Sequence, residues 1–232
     1  MLSILIDPDK ISPGECVELA GLATESGVDY LFIGSSILAH NELENCLRAL
    51  KESSKIPVII FPGDSMQISN QGDAILFLSL ISGRNPELLI GKHVLAAPLL
   101  RKSKLEIIST GYMLIDSGTP TSASYMSHTQ PIPHDKNDIA VCTAMAGEML
   151  GLKMIFMDAG SGARHPVSAL MIASVRKSIA VPLIVGGGIR TPEKAIENCN
   201  AGADMIVIGN AVEQQRGLVK EMAEAIHSLQ LG

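Results

Sequence analysis

The sequence predicts a single (β/α)8 TIM barrel of the α/β class, and three observations predict it. Short β-rich apolar runs recur along the chain, each ending in a Gly, Ser or Asp turn and followed by a helical stretch; such runs are strands buried on both faces of a parallel sheet. Two glycine turns, Gly186-Gly187-Gly188 and Gly209-Asn210, end the last two runs, where the seventh and eighth strands of such a barrel hold phosphate. The length of 232 residues suits one domain, 1–232, and is short for two. Ordinary glycine turns in another α/β fold are the alternative reading of the second observation.

Taken in order, residues 2–6 form the first strand and lead directly into Asp7-Pro8-Asp9-Lys10. Ser12-Pro13-Gly14-Glu15 is a capping box with proline at N1, and it opens a helix that should stop at Gly27. Residues 30–33 are strand 2, ended by Gly34-Ser35-Ser36, and 41–53 are helical. Residues 58–61 are strand 3, with Pro62-Gly63-Asp64 as its exit, and strand 4 spans about 74–80. The segment between them is short and polar, so a full crossover helix barely fits. The helix there is expected to be reduced, leaving an apolar slot in the barrel wall; a one-turn helix plugging the space is the alternative.

Asn85-Pro86-Glu87 opens the next helix, which Pro98 is expected to end. Strand 5 lies within 106–115, and 116–137 is a long polar segment of the kind that carries function. A helix over 138–150, strand 6 over 154–157, a helix over 166–177, strands 7 and 8 at 183–185 and 205–208, and a last helix over about 215–230 complete the chain.

Composition narrows the function. Apolar residues make up 47% and charged residues 18%, which describes a folded chain with a large core. A net charge of −6 argues against a nucleic-acid binder while leaving room for a local phosphate pocket. The four cysteines are scattered without a C-x-x-C pair, and the histidines lack zinc-site spacing. No apolar run approaches a transmembrane span, and strand 1 begins too early for a signal peptide, so a cytoplasmic location is expected.

Reacting groups of such barrels sit at the C-terminal ends of strands. Asp7 ends strand 1, and a carboxylate there suits Mg2+, which takes one or two carboxylates together with phosphate oxygens; a turn-making Asp before Pro8 is the bland alternative. Ser36 offers a hydroxyl to the same ion. Asp158 ends strand 6 ahead of Gly160-Ser161-Gly162, and it is placed to act as a general base or to bind a substrate hydroxyl. Arg190 and Arg164 are candidate phosphate partners.

Asp7-Pro8-Asp9-Lys10, Ile33-Gly34-Ser35-Ser36, the run from Phe156 through Met157, Asp158, Ala159, Gly160, Ser161 and Gly162 to Ala163, Gly186-Gly187-Gly188-Ile189 and Ile208-Gly209-Asn210 together resemble the geranylgeranylglyceryl phosphate synthase family, in particular its second group, which also occurs in bacteria. The resemblance spans nearly the whole chain. It implies transfer of a polyprenyl group, geranylgeranyl being the expected one, from its diphosphate to the sn-3 hydroxyl of sn-glycerol 1-phosphate, with release of diphosphate. It implies that Asp7 and Ser36 hold Mg2+ and that Asp7 and Asp158 are catalytic. It also implies that Phe156, Met157, Asp158, Ala159, Gly160, Ser161, Gly162, the Gly186 to Gly188 turn, Gly209 and Asn210 bind glycerol phosphate, and that the chain forms a homo-oligomer, dimeric or hexameric. The family usually carries glutamate and tyrosine where this chain has Asp158 and Phe156. Two other readings remain. One is a sugar-phosphate isomerase or cyclase pairing Asp7 with Asp116; the other is a non-catalytic barrel that binds a phosphate ligand.

Overall fold

The computed structural model describes residues 1–40 and 42–229. Eight parallel strands close on themselves in chain order: β1 (Leu2–Ile6), β2 (Tyr30–Ile33), β3 (Val58–Ile60), β4 (Ala74–Leu80), β5 (Glu106–Leu114), β6 (Met154–Asp158), β7 (Leu183–Gly186) and β8 (Met205–Ile208). The closing pair sets Leu2 against Ile206 and Ile4 against Ile208. The flanking helices are α1 (Pro13–Ser26), α2 (Leu43–Ser53), α3 (Lys92–Leu100), α4 (Ser122–Ser127), α5 (Asn137–Met149), α6 (Ala169–Arg176), α7 (Pro192–Asn200), α8 (Asn210–Gln214) and α9 (Leu218–Ser228).

Strand alternation divides the apolar residues into two cores. One face of each strand fills the barrel, with Phe32, Ile59, Leu76, Phe156, Ile184 and Val207 packed together. The other face meets the helices, where Leu31, Ile33, Ile155, Met157, Val185 and Ile206 pack against the inner stripes of α1, α2, α6 and α9. That two-sided burial explains why the strands read as continuous apolar runs.

The helix starts follow local chemistry. Ser12 and Glu15 form the expected reciprocal capping box on α1, and Gly27 ends it in the left-handed conformation at φ 74°. Thr191 accepts from the Lys194 N–H, and Pro192 is the first residue of α7. Residues 61–73 between β3 and β4 contain no helix, so the barrel wall is thin there as the spacing predicts.

Four boundaries differ from expectation. Pro98 does not end its helix: α3 runs on to Leu100, preceded by a π-turn at Glu87–Gly91. Proline removes the bond to the carbonyl of residue 94, but Val94 lies on the exposed side of the helix, where a missing backbone bond costs less than in the core. Within 116–137 lies a short helix, α4, because Thr121 and Ser124 cap each other's backbone reciprocally. α6 starts at Ala169 instead of 166, since Ser168 is its cap. The last helical stretch is two helices, α8 and α9, split around Gln215 and Gly217. The expected ends at Asn41 and Gln230 lie outside the described residues.

At the N-terminal end of the barrel one device recurs three times. Asp29, Asp73 and Asp204 are the residues just before β2, β4 and β8, and each carboxylate accepts the first N–H of a neighbouring strand: Leu2 at 2.7 Å, Val58 at 2.7 Å and Leu183 at 2.7 Å. Each is also held by a basic side chain from the helix layer, His227 at 3.2 Å, Lys51 at 2.7 Å and Arg176 at 2.9 Å. These bonds anchor the strands that carry the opposite end.

Candidate active site

The C-terminal ends of β1, β2 and β5 to β8 surround a polar cup with a cavity volume of about 360 Å³, within the range of small-ligand sites. β7 delivers the glycine turn. Gly187 has φ 81°, and a Cβ there would stand 2.6 Å from Asp158 Oδ1, 2.6 Å from the Gly160 nitrogen and 2.7 Å from the Ala159 nitrogen. Only glycine lets the loops after β6 and β7 approach this closely. Ser161 Oγ then donates to Asn210 Oδ1 at 2.7 Å, tying the loop after β6 to the start of α8. Arg190 reaches back to the Ala163 carbonyl at 3.0 Å. The three loops after β6, β7 and β8 are thus stitched together by their own side chains and backbone.

β1 adjoins β8 in the closed barrel, and Asp7 sits at its end, next to these loops. Its Oδ1 accepts from the Asp9 N–H at 3.2 Å and its Oδ2 from Ser35 Oγ at 3.2 Å. Lys10 Nζ lies 3.3 Å from Asp7 and 3.6 Å from Glu213. Partial burial works against the Lys10 charge, but the Glu213 and Asp7 carboxylates hold its ammonium above the usual lysine value. Two carboxylates sharing one cation mark this rim as a place where positive charge is favoured.

Asp158 closes the floor. Its Oδ1 accepts from the Gly160 N–H at 2.7 Å and its Oδ2 from the Tyr112 hydroxyl at 2.6 Å. Burial pushes the Asp158 carboxyl up, with the Tyr112 and Gly160 hydrogen bonds pulling the other way, and burial raises the Tyr112 phenol well above its ordinary value. The Tyr112 ring meets Phe61 and Phe156 edge-on at 5.7 and 5.6 Å, and Phe156 stacks on Phe61 at 5.4 Å.

Behind this aromatic cluster a second, apolar cavity of about 200 Å³ opens through the thin wall, among Ile68, Leu76, Leu78, Leu88, Ala96 and Leu100. Asp64 and Lys92 form an ion pair at its rim; burial opposes the Asp64 charge, while the Lys92 hydrogen bond and the Met66 N–H bring its carboxyl below the usual value. The cup and the slot share Ser35, Ser36, Phe61, Tyr112 and Ala123 in their walls. A polar ligand in one and an apolar ligand in the other would meet at those residues.

The structure brings Asp7, Ser36, Phe156, Asp158, Gly160, Ser161, Gly162, Gly186, Gly187, Gly188, Gly209 and Asn210 to the cup wall. Met157 and Ala159 alternate to the other face and pack in the barrel–helix layer, so only their backbone faces the loops. Arg164 lies outside the wall, and so does Asp116, whose carboxylate accepts the Gly118 N–H at 2.9 Å within its own turn; the pairing of Asp7 with Asp116 has no geometric support. Ser35, Lys10, Glu213 and Tyr112 were not singled out from the sequence. For Tyr112 the available signal is its place near the end of a barrel strand. For Glu213 there is none, since its approach to Lys10 spans most of the chain.

A family model described as the PcrB family matches residues 2–228. The chain is 58% identical over 226 residues to geranylgeranylglyceryl phosphate synthase of Chitinophaga pinensis, covering 97% of this chain and 90% of that one. It is 43% identical over 230 residues to the synthase of the same name from Thermococcus kodakarensis, covering 99% and 90%. The crystal structure of (S)-3-O-geranylgeranylglyceryl phosphate synthase from Thermoplasma acidophilum, in complex with its substrate sn-glycerol-1-phosphate, superposes with a TM-score of 0.93 at 34% identity, covering 98% and 93%. With its closed barrel, its thin wall between β3 and β4 and its glycine-lined cup, the chain belongs to the PcrB family of geranylgeranylglyceryl phosphate synthases.

Proposed function

We propose that this protein joins sn-glycerol 1-phosphate to a polyprenyl diphosphate, geranylgeranyl diphosphate being the expected donor, through an ether bond at the sn-3 hydroxyl. The observation that carries the reading is the meeting of a polar, glycine-lined cup with an apolar slot at one short stretch of shared wall. The Thermoplasma acidophilum structure, described as a complex with sn-glycerol-1-phosphate, supports the acceptor. Its phosphate would rest on the backbone of Gly187, Gly188, Gly209 and Asn210, three of which carry no side chain to keep it off the loop N–H groups. The glycerol would extend toward Asp158, and the prenyl chain would lie in the slot past Leu76, Leu78 and Ala96, excluded from water.

The donor set on the β1 rim fits Mg2+. It offers oxygen donors, the Asp7 carboxylate with the Ser35 hydroxyl bonded to it and Ser36 in the same cup wall, and the placement of Lys10 beside Asp7 shows that a cation is favoured there. Asp7 and Ser36 would hold the ion, whose charge offsets that on the departing diphosphate. The Lys10 ammonium and the Gly-rich rim surround the same space. A homo-oligomer is supported by exposed apolar side chains on α3, Val94, Leu95 and Leu99, and at the C-terminal end of α5, Met149 and Leu150. No helix among the described residues is long and apolar enough to cross a membrane, which accords with a cytoplasmic enzyme whose product enters the membrane.

The deciding experiment incubates the protein with magnesium, labelled sn-glycerol 1-phosphate and a panel of prenyl diphosphates. The expected result is a labelled ether lipid with strongest turnover on the C20 donor. Binding of glycerol phosphate without product from any donor would instead establish the non-catalytic barrel.

A further inference from the structure

The reaction proposed above needs a proton taken from the sn-3 hydroxyl, and the geometry points to a group beyond Asp158. Asp158 lies deep in the floor, 8% exposed, and each of its oxygens already accepts a hydrogen bond, from Gly160 and from Tyr112. Tyr112 pairs with Phe156 across β5 and β6, two residues before Asp158 on the same strand face, so its hydroxyl reaches Asp158 along the strand direction. Unlike Asp158, Tyr112 lines both the cup and the slot. Among the described residues no group donates to the Tyr112 oxygen, which leaves its lone pairs for an incoming hydroxyl. Phe61 and Phe156 hold the ring edge-on from two sides.

We propose that Tyr112 is a catalytic residue that relays the proton of the sn-3 hydroxyl to Asp158. This rests on the prenyl-transfer reading. As the glycerol oxygen forms its bond to C1 of the prenyl group, the C1–O bond to diphosphate breaks and its electron pair leaves with the diphosphate. The glycerol O–H proton passes to the Tyr112 oxygen, and the Tyr112 proton passes to Asp158 Oδ2. Asp158 ends neutral, Tyr112 ends as the phenol it began as, and Asp158 returns its proton to water once product leaves. The raised Asp158 pKa suits a proton acceptor, and the raised Tyr112 pKa keeps the phenol protonated between turnovers.

The test compares wild type, Tyr112→Phe, Asp158→Asn and the double variant in single turnover with a C20 donor, alongside calorimetric binding of sn-glycerol 1-phosphate. Tyr112→Phe keeps the ring and its packing, which circular dichroism checks. Its single-turnover rate should fall on the order of 10², with glycerol phosphate affinity within about threefold of wild type. Because both groups act in one path, the double variant should be no slower than Asp158→Asn alone. A Tyr112→Phe rate within about threefold of wild type, a loss matched by weakened binding, or multiplying effects in the double variant would overturn the relay. Wild type supplies a reading that depends on no variant. In mixed light and heavy water its single-turnover rate should bow below a straight line, as two transferring protons require, and a straight dependence overturns the relay. No product from wild type with any donor overturns the prenyl-transfer reading itself, a result distinct from an active wild type with an indifferent Tyr112.

Discussion

The two ends of the barrel use the same residue type for opposite purposes. At the N-terminal end Asp29, Asp73 and Asp204 each accept from a strand N–H and pair with a basic side chain from the helix layer. At the C-terminal end Asp7 and Asp158 accept from hydroxyls and loop N–H groups, Ser35 and Asp9 for one and Tyr112 and Gly160 for the other, and Asp7 also pairs with Lys10 of its own loop. Carboxylates of the first kind close strand ends, Asp29 and Asp204 holding both partners on the one oxygen Oδ2. Those of the second kind line a cup walled by glycine backbone, where their partners are loop N–H groups, hydroxyls and a lysine facing the same space. The difference teaches that an aspartate beside a strand is not by itself a site; which end of the strand it occupies, and what surrounds it there, decides.

Four changes would break or sharpen this contrast. The largest effect is expected at Gly187→Val, where the new side chain would run into Asp158 Oδ1 and the backbone of Ala159 and Gly160. With φ at 81° the backbone also opposes a β-branched residue. Phosphate binding should be lost and activity should drop by about 10³ or more, at the scale of an active-site donor removed, with the melting temperature also lowered. A variant that binds sn-glycerol 1-phosphate normally by calorimetry would show that the two glycine loops are merely structural.

Next is Asp7→Asn, which keeps the Asx turn to Asp9 but removes the charge. Turnover should fall on the order of 10², if the charge serves the departing diphosphate, while glycerol phosphate affinity changes little. A magnesium titration measures it: the half-saturating concentration should rise. Near wild-type turnover at limiting magnesium would reduce Asp7 to a turn residue like its counterparts at the other end.

Asp204→Ala addresses the N-terminal end. It strips the Leu183 N–H and Arg176 of their shared partner, and should cost about 1–3 kcal/mol in a denaturant titration. The folded fraction should keep wild-type kcat and KM. A kinetic defect without loss of stability would mean that the two ends are coupled more tightly than their separate hydrogen bonds imply.

The smallest effect separates the two cavities at the working end. Ala96→Trp fills the slot from α3 without touching the cup. The KM for the C20 donor should rise by about tenfold, in line with 1–3 kcal/mol for overpacking, while the KM for glycerol phosphate stays put. Equal rises in both would show the slot and cup to be one binding site.

Much of this was legible in the residues. Strand positions followed from apolar runs, and the α1 and α7 starts from Ser12-Pro13 and Thr191-Pro192, because these signals are local: a cap needs its partner three residues away. The glycine turns and Asp7 followed from the barrel rule that function gathers at strand ends. The same rule also nominated Asp116 and Arg164, which the fold turns away, since a strand end specifies a face of the barrel but not the direction of each side chain on the loop beyond it.

What the sequence by itself determined is therefore the periodic part: eight buried strands, their order, a connection after β3 too short for a full helix, and the glycines that leave backbone bare. What only the tertiary structure decided is the set of pairs made across the barrel. Tyr112 finds Asp158 from a neighbouring strand, Lys10 finds Glu213 from the far end of the chain, and Met157 turns outward one residue away from an inward Asp158. The physical reason is closure. Local propensity sets each strand and helix, but the contacts between them depend on strand register and on the return of β8 to β1, quantities to which every part of the chain contributes.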